Sequence, residues 1–229
     1  MNITSADHLY LVDGSGFIFR AFHALPAMTR PDGTPVNAVL GFSNMLYRLL
    51  QEAEVDHLAV IFDSARANFR HEIYPLYKAN RKELPPELIP QFSLIRKACD
   101  AFNVPTLEKE GFEADDLIAT LTHKARAQGL KVTIVSSDKD LMQLIQPHVD
   151  MWDPLKNKSI DAPQVFEKFG VEPARVVDVQ ALAGDTSDNI PGVPGIGIKT
   201  EAFLIQEYGS LEELLQRAGE ISQPKRRQI

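Results

Sequence analysis

Three short apolar segments of this chain each lead into an aspartate, and these acids are Asp13, Asp63 and Asp138. Short β-branched runs that are apolar on both alternating faces are typical of buried strands in a parallel sheet. Ligand sites lie beyond the carboxyl ends of such strands. The sequence therefore predicts that several carboxylates surround one crevice.

Two further segments add acids to this candidate site. Glu113, Asp115 and Asp116 open a predicted helix, and Asp185 and Asp188 lie in a Gly-rich stretch. Converging carboxylates repel one another unless cations lie between them. Oxygen ligands without a His or Cys cluster select hard ions, Mg²⁺ or Mn²⁺. Two such ions held ~4 Å apart can activate a water and stabilise the leaving oxygen of a phosphodiester.

A single acid at a strand end also has a structural interpretation, because its carboxylate can cap the next helix and suit the helix dipole. For Asp13, Asp63 or Glu113 taken alone, both interpretations stay open. The joint pattern favours a metal site, because all three predicted central strands end in an acid.

The charge distribution bears on the partner. A net charge of −7 argues against nucleic acid, but without the nine acids of the proposed cluster the charge would be +2. Residues 64–97 carry seven Lys or Arg against three acids, which predicts a phosphate-facing surface. Within this segment, an aromatic ring, an amide and two cations lie close together in the sequence, in Tyr77, Lys78, Asn80 and Arg81. This combination suits the binding of single-stranded nucleic acid by base stacking and charge. A solvated helix with ordinary surface charges is the alternative.

A Gly-rich turn precedes a predicted helix near residue 198. Gly192, Gly195 and Gly197 let the backbone turn closely, and Lys199 and Thr200 follow. Amide groups at a helix N-terminus bind phosphate, and Lys199 adds positive charge. A purely structural turn is the alternative interpretation.

Composition excludes several classes of protein. The single cysteine, Cys99, rules out a disulfide framework and a Cys-based zinc site, and its apolar helical surroundings predict core packing. The six histidines are scattered without metal-ligand spacing. No apolar run approaches the ~20 residues that span a bilayer, and the N-terminus lacks a signal-peptide pattern. We expect a cytoplasmic protein without a membrane partner.

Alternating strand-like and helical segments predict an α/β fold with a central, mostly parallel sheet flanked by helices. Residues 64–90 interrupt the alternation with four prolines and several basic residues. From Pro173 onward the sequence pattern is helical. We expect helices near 17–23, 36–54, 91–102, 113–127 and 138–144, a short strand around Val104, and edge strands near 149–152 and 159.

Seven sequence blocks, in this order, resemble the 5′-nuclease family of flap endonucleases, which has a PIN-like core and is found at the N-terminus of bacterial DNA polymerase I. The blocks are 12–15, 19–26, 62–63, 77–81, 111–116, 137–140 and 184–197. The resemblance implies a PIN-like domain over 1–172 with a helical arch at about 64–97. It also implies a partial helix-hairpin-helix module over 173–229.

The resemblance also implies roles for individual residues. Lys78 and Arg81 match the arch over the active site, and Arg20 matches a phosphate-contacting position. Residues 184–208 match the hairpin that grips duplex DNA and, in relatives, a potassium ion. The positions that match the family's metal-binding acids are Asp13, Asp63, Glu113, Asp115, Asp116, Asp138, Asp140, Asp185 and Asp188.

The implied activity is Mg²⁺-dependent (or Mn²⁺-dependent) 5′-3′ exonuclease and flap endonuclease cleavage near single-strand/duplex junctions. The implied substrates are DNA with a 5′ flap, a nick or an RNA primer, in replication and repair at the bacterial nucleoid. Competing hypotheses are a PIN-like endoribonuclease, which needs neither arch nor hairpin, and a non-catalytic binder of DNA structures, which does not need the acids.

Two departures from the family pattern stand out. Ile198 and Glu201 replace the Glu and Ala of the usual Glu-Lys-Thr-Ala after Gly-Ile-Gly. We expect the acid of Glu201, one helical turn from the phosphate loop, to weaken duplex binding. The family's helical module also continues beyond the position of Ile229, so we expect a fragment of a longer protein that is covalently continuous with polymerase domains.

Overall fold

The computed structural model describes residues 7–52, 56–64, 67–154, 156–194 and 198–221. These residues form two compact units. The first takes the described parts of Met1–Phe69, Lys82–Leu141 and Pro147–Ser159, and the second takes those of Arg70–Arg81, Met142–Gln146 and Ile160–Ile229.

A sheet forms the centre of the first unit. Its strands are β1 (His8–Asp13), β2 (His57–Ile61), β3 (Thr106–Leu107), β4 (Lys131–Val135), β5 (Val149–Asp153) and β6 (Lys158–Ile160). They lie in the order β3-β2-β1-β4-β5-β6, and the pairs β1/β2, β1/β4, β2/β3 and β4/β5 are parallel, which confirms the predicted, mostly parallel sheet. Of the two strands predicted at an edge, β6 lies there, whereas β5 lies between β4 and β6.

Helices lie between and after the strands. Three short 3₁₀ helices cover Asp140–Leu144, Pro173–Arg175 and Ala218–Glu220. The α-helices are α1 (Gly14–Ala24), α2 (Asn37–Glu52), α3 (Phe69–Ile73), α4 (Ile89–Ala101), α5 (Ala114–Ala127), α6 (Ala162–Phe169), α7 (Val176–Ala183), α8 (Ile198–Tyr208) and α9 (Leu211–Gln216).

Two apolar layers hold the sheet. Helices α1, α2 and α4 bury Phe17, Phe42 and Ile95 against strand residues such as Val12. Successive strand residues point to opposite faces. Leu11, the neighbour of Val12, therefore faces the other side, where α5 packs on the central strands. Cys99 is fully buried in the first layer, which confirms its predicted packing role.

Because β2, β1 and β4 are adjacent and parallel, their carboxyl ends lie at one edge of the sheet. Strand register brings Asp13 beside Ile61 and Val12 beside Val135. Asp63 and Asp138 lie two and three residues beyond these partners. The topology thus places the three strand-end acids at the same edge.

Several local expectations differ from the structure. The predicted helix at 138–144 is a 3₁₀ helix that starts at Asp140, and the strand expected around Val104 is Thr106–Leu107. The predicted helical arch is not a continuous helix: α3 is short, and the basic turn (residues 75–81) contains Lys78 at φ 56°. Proline disrupts helices because it lacks an N–H group. From residue 89 the expected arch is the core helix α4.

The second unit contains α6, α7, α8 and α9. The last three lie in the segment after residue 173 that the sequence predicts to be helical, whereas the sequence analysis does not predict α6. Asp161 and Gln164 form a capping box at the start of α6, and Gly170 ends this helix at φ 72°.

Among the residues that the structure describes, no helix is long and apolar enough to cross a bilayer.

Candidate active site

Asp13 lies at the end of β1 and is 6% exposed. Its Oδ1 accepts the backbone N–H of Gly16 at 2.8 Å, and its Oδ2 accepts the hydroxyl of Ser136 at 2.9 Å. Burial raises the pKa of Asp13 to about 6; the two hydrogen bonds lower it, and Asp138 and Asp63 raise it further. A cation that binds beside this carboxylate would stabilise its charged form.

Asp63 has one of the two roles considered for a strand-end acid, since it caps the next helix. Its Oδ1 accepts the N–H of Ala114 at 2.7 Å, at the first residue of α5. Its own N–H donates to the hydroxyl of Ser15 at 3.0 Å. A carboxylate has two oxygens, so capping by one of them leaves the ligand role compatible with this geometry.

Three acids open α5. The side chain of Glu113 accepts the amide of Asn68 at 2.7 Å, and Asp116 Oδ2 accepts the backbone N–H of Glu113 at 2.9 Å. The second bond is one half of a capping box between Glu113 and Asp116, in which the side chain of each residue faces the backbone N–H of the other. The pKa of Asp115 is raised well above its usual value, first by burial and then by the charges of four other acids. Those four acids are Asp13, Asp138, Asp63 and Glu113.

The loop after β4 positions two more predicted ligands. Ser136 Oγ accepts the N–H of Asp138 at 3.0 Å, and Asp138 Oδ1 accepts the N–H of Asp140 at 2.9 Å. Ser136 is 1% exposed and also donates to Asp13, so it links the ends of β1 and β4. Sequence reasoning did not identify Ser136, although it immediately follows the apolar run of β4.

Taken together, five acids of the first unit lie near one another: the charges of Asp138 and Asp63 act on Asp13, and those of Asp13, Asp138, Asp63 and Glu113 act on Asp115. Within the described ranges, no three acidic, His or Cys side chains already have the spacing of ligands around one ion. The donor set consists of carboxylate oxygens, which fits a hard divalent cation. A divalent cation would offset the burial that raises the pKa of Asp13 and the burial and repulsion that raise the pKa of Asp115.

Arg20 projects from α1 next to this loop. Its guanidinium hydrogen-bonds the hydroxyl of Ser137 and lies 3.8 Å from the carboxylate of Asp153. Asp153 is 3% exposed, at the end of β5. Sequence reasoning missed both partners. A half-buried Arg with a buried counter-ion has a fixed direction, which is compatible with the predicted phosphate contact.

In the second unit, the basic turn contacts Asp188. Asp188 Oδ1 accepts from Arg81 at 2.7 Å, and Oδ2 accepts the hydroxyl of Tyr77 at 3.0 Å with Lys78 Nζ at 3.7 Å. The three predicted nucleic-acid contacts in this segment therefore converge on a predicted metal ligand. Their roles stay predictions.

The acidic loop (residues 185–190) begins at the buried Asp185, whose Oδ1 accepts the N–H of Ser187 at 2.7 Å. Asp185 and Ile190 exchange two backbone hydrogen bonds of 2.8 Å. The loop is thus a closed turn. Because Asp185 and Asp188 belong to the second unit, their predicted membership of the metal site stays a prediction.

The Gly-rich turn (residues 192–197) is described only in part. Gly195, Gly197 and the side chain of Lys199 lie outside the described residues. The Cα of Gly192 packs against the end of α7: a Cβ there would lie 2.0 Å from the carbonyl oxygen of Ala183. Thr200 is half-buried in the first turn of α8. The predicted DNA contacts of Gly192 and Thr200 stay predictions.

Glu201 corrects one expectation. Its side chain is 1% exposed, and its carboxyl oxygens have no hydrogen-bond partner within the described part of the chain. Burial raises its pKa, which favours the neutral form. Glu201 therefore does not present a surface charge near the Gly-rich turn, and the expected weakening of duplex binding by this acid has no structural basis.

Profiles of two known domains cover the chain in succession. Residues 8–170 match "5′-3′ exonuclease, N-terminal resolvase-like domain", and residues 171–229 match "5′-3′ exonuclease, C-terminal SAM fold". The chain belongs to the 5′-3′ exonuclease family. This membership confirms the resemblance that the seven sequence blocks indicated.

Individual members of the 5′-3′ exonuclease family are similar over nearly all of the chain. DNA polymerase I of Rhizobium leguminosarum is 59% identical over 97% of the chain, which spans 23% of that protein's length. A 5′-3′ exonuclease of Aquifex aeolicus is 41% identical over 90% of the chain and 72% of its own length. The fold matches the bacteriophage T5 flap endonuclease in a complex with DNA and metal ions. The TM-score is 0.80 at 24% identity, over 96% of this chain and 82% of that one.

Proposed function

We propose that this chain is a divalent-metal-dependent 5′ nuclease that hydrolyses phosphodiester bonds near single-strand/duplex junctions. The observation that carries the proposal is that Asp13, Asp63 and Asp138 meet at the carboxyl edge of the sheet, beside the acids that open α5. Membership of the 5′-3′ exonuclease family supports the reaction class. The complex of the T5 flap endonuclease with DNA and metal ions supports the type of substrate.

The proposal assigns a role to each acid at the carboxyl edge of the sheet. Asp13, Asp115 and Asp138 would hold the ions, while Asp63 also caps α5. Ser136 holds the carboxylate of Asp13 and the loop of Asp138 in register. When bound, divalent ions supply an activated water and neutralise the charge on the departing oxygen. Glu113, Asp116 and Asp140 are further proposed ligands.

The cations of the chain provide the contacts to substrate phosphate. Arg20, fixed by Asp153 and Ser137, would bind phosphate from the first unit. Lys78 and Arg81 would stabilise the charge that develops on the scissile phosphate. These contacts do not depend on base sequence, so selectivity comes from the shape of the junction.

The finer assignments belong to the same proposal. The ions are Mg²⁺ or Mn²⁺, with K⁺ at the helix-hairpin-helix, and the substrates are DNA flaps, nicks and RNA primers. Because the chain spans about a quarter of the length of the DNA polymerase I relatives, we infer that it is continuous with polymerase domains. We further propose that it acts at the bacterial nucleoid in the cytoplasm.

The test uses three 5′-labelled substrates: a flap duplex, a blunt duplex and single-stranded RNA. Each is incubated with Mg²⁺, with Mn²⁺ and with EDTA. We expect cleavage of the flap near its junction, activity with either ion and none with EDTA. Cleavage of RNA alone would instead identify an endoribonuclease, and metal-dependent binding without cleavage would identify a DNA-structure binder.

A matched pair of variants tests the acids. Asp138→Ala should nearly abolish cleavage while DNA binding is retained or improved, because loss of the acid dismantles the ion site and lessens repulsion of phosphate. Asp100→Ala removes an exposed acid of α4 and should leave cleavage unchanged. Near-normal turnover of Asp138→Ala would reject the proposed metal site.

A further inference from the structure

The basic turn is bound to the acidic loop by main-chain contacts as well as by charge. Asn80 Nδ2 donates to the carbonyl of Thr186 at 2.6 Å. In the reverse direction, Asn189 Nδ2 donates to the carbonyl of Leu76 at 2.7 Å. Each segment thus supplies one asparagine amide to the backbone of the other, which forms a reciprocal clamp.

Backbone geometry at the clamp is unusual. Lys78 and Asn189 both have positive φ, 56° and 58°. Asn tolerates this left-handed conformation, whereas for Lys it is uncommon. The N–H of Lys78 donates to the carbonyl of Asp188 at 2.9 Å. This bond lies between the two asparagine contacts and fixes the residue whose conformation is least favoured.

The clamp holds the backbone segment that carries the cationic side chains of Lys78 and Arg81. Lys and Arg side chains lose considerable rotamer entropy when they are ordered. Their heads stay near Asp188 only if the backbone that carries them is held in place. The clamp joins residues more than 100 positions apart in the sequence, and Asn80 is exposed, so the bond is not a by-product of core packing.

We propose that Asn80 and Asn189 are positioning residues that preorganise Lys78 and Arg81 for the developing phosphate charge. This inference rests on the proposed nuclease function. Groups that are already oriented stabilise charge without reorganisation during the reaction. A displacement of about 1 Å in such groups lowers rate on the order of a hundredfold. Loss of the clamp should therefore reduce rate rather than substrate affinity.

The test compares three single variants by single-turnover cleavage of a 5′ flap and by flap binding. Asn189→Gly keeps the left-handed backbone and removes the amide; Asn80→Ala removes the other amide. Asn103→Gly is the matched control, because Asn103 also has φ 56° but lies at the end of α4. We expect rates about ten- to a hundredfold lower for the two clamp variants, with Kd within about twofold, and no change for the control.

A double-mutant cycle separates positioning from general destabilisation. Lys78→Ala should make the effect of Asn189→Gly on rate much smaller, because an amide cannot position a side chain that is absent. With Asn103→Gly the effects should simply add. Additive losses for Asn189→Gly and Lys78→Ala, or equal losses in rate and affinity, would overturn the positioning role.

Amide hydrogen exchange of Lys78 provides a readout that does not require activity. If the wild-type chain cleaves no substrate, the proposed function fails, and exchange alone then decides on the clamp. Faster exchange at Lys78 in Asn189→Gly than in Asn103→Gly would support the clamp. Equal exchange in the two variants would overturn it.

Discussion

The hydroxyl of Ser136 donates to the carboxylate of Asp13 at 2.9 Å, across the ends of the neighbouring strands β1 and β4. The same oxygen accepts the N–H of Asp138 at 3.0 Å. One buried hydroxyl thus orients one proposed metal ligand and the loop of another. Mutation of a group that orients a metal ligand typically weakens metal binding about ten- to a hundredfold.

Replacement of Ser136 by Ala should weaken Mg²⁺ binding. The variant keeps all the acids but loses the bond that orients Asp13, so we expect roughly tenfold weaker apparent affinity. Isothermal calorimetry and the Mg²⁺ dependence of cleavage both measure it. Ser93→Ala is the control, because Ser93 donates to Pro90 on an exposed part of α4. An unchanged Mg²⁺ midpoint in Ser136→Ala would contradict the orienting role.

The raised pKa of Asp13 predicts a pH-dependent stability. Burial raises this pKa from 3.8 to about 6, so the folded state binds the proton more tightly than the unfolded chain does. The stabilisation is fully present below the unfolded pKa and is lost as pH rises through about 6. Without metal, Asp13→Asn should therefore gain stability relative to the wild type as pH rises from about 4 to about 6, by on the order of 2 kcal/mol.

Urea unfolding at several pH values measures this difference. Asp100→Asn is the control, because Asp100 is an exposed acid. Saturating Mg²⁺ should reverse the order of stability, since the bound ion favours the charged form of the wild-type acid. A pH-independent difference between Asp13→Asn and the wild type would show that the carboxyl of Asp13 titrates normally.

Lys78→Ala should lower the single-turnover rate far more than it weakens flap binding. The ammonium lies 3.7 Å from Asp188 and is proposed to act on charge that develops only in the transition state. Lys97→Ala removes an exposed cation of α4 from the same predicted basic segment and should change neither quantity. Equal losses of rate and affinity in Lys78→Ala would make it an ordinary phosphate contact.

Gly192→Ala should destabilise the second unit. The added Cβ would lie 2.0 Å from the carbonyl oxygen of Ala183 and 2.9 Å from the N of Gly184, which are backbone atoms that cannot rotate away. We expect a loss of more than about 2 kcal/mol in the free energy of unfolding. Gly219→Ala is the control, because a Cβ there has no described atom within 4 Å. Equal unfolding midpoints for the two variants would contradict the close approach.

Local patterns in the sequence determined the strands and the acids that follow them. A buried parallel strand needs only a short apolar run, so β1, β2 and β4 could be located, and Asp13, Asp63 and Asp138 with them. The order of seven motifs was sufficient to indicate the family. Element boundaries were less certain: the segment after Asp138 forms one 3₁₀ helix from Asp140.

Only the tertiary structure decided which side chains orient the site. Ser136 bonds Asp13 from 123 positions away, and Asn68 bonds Glu113 from 45 positions away. Glu201 has the appearance of a surface acid in the sequence, yet it is buried in the fold. Such pairings depend on how strands and loops meet in space. Periodicity along the chain shows which face a residue occupies but not which distant group lies opposite it.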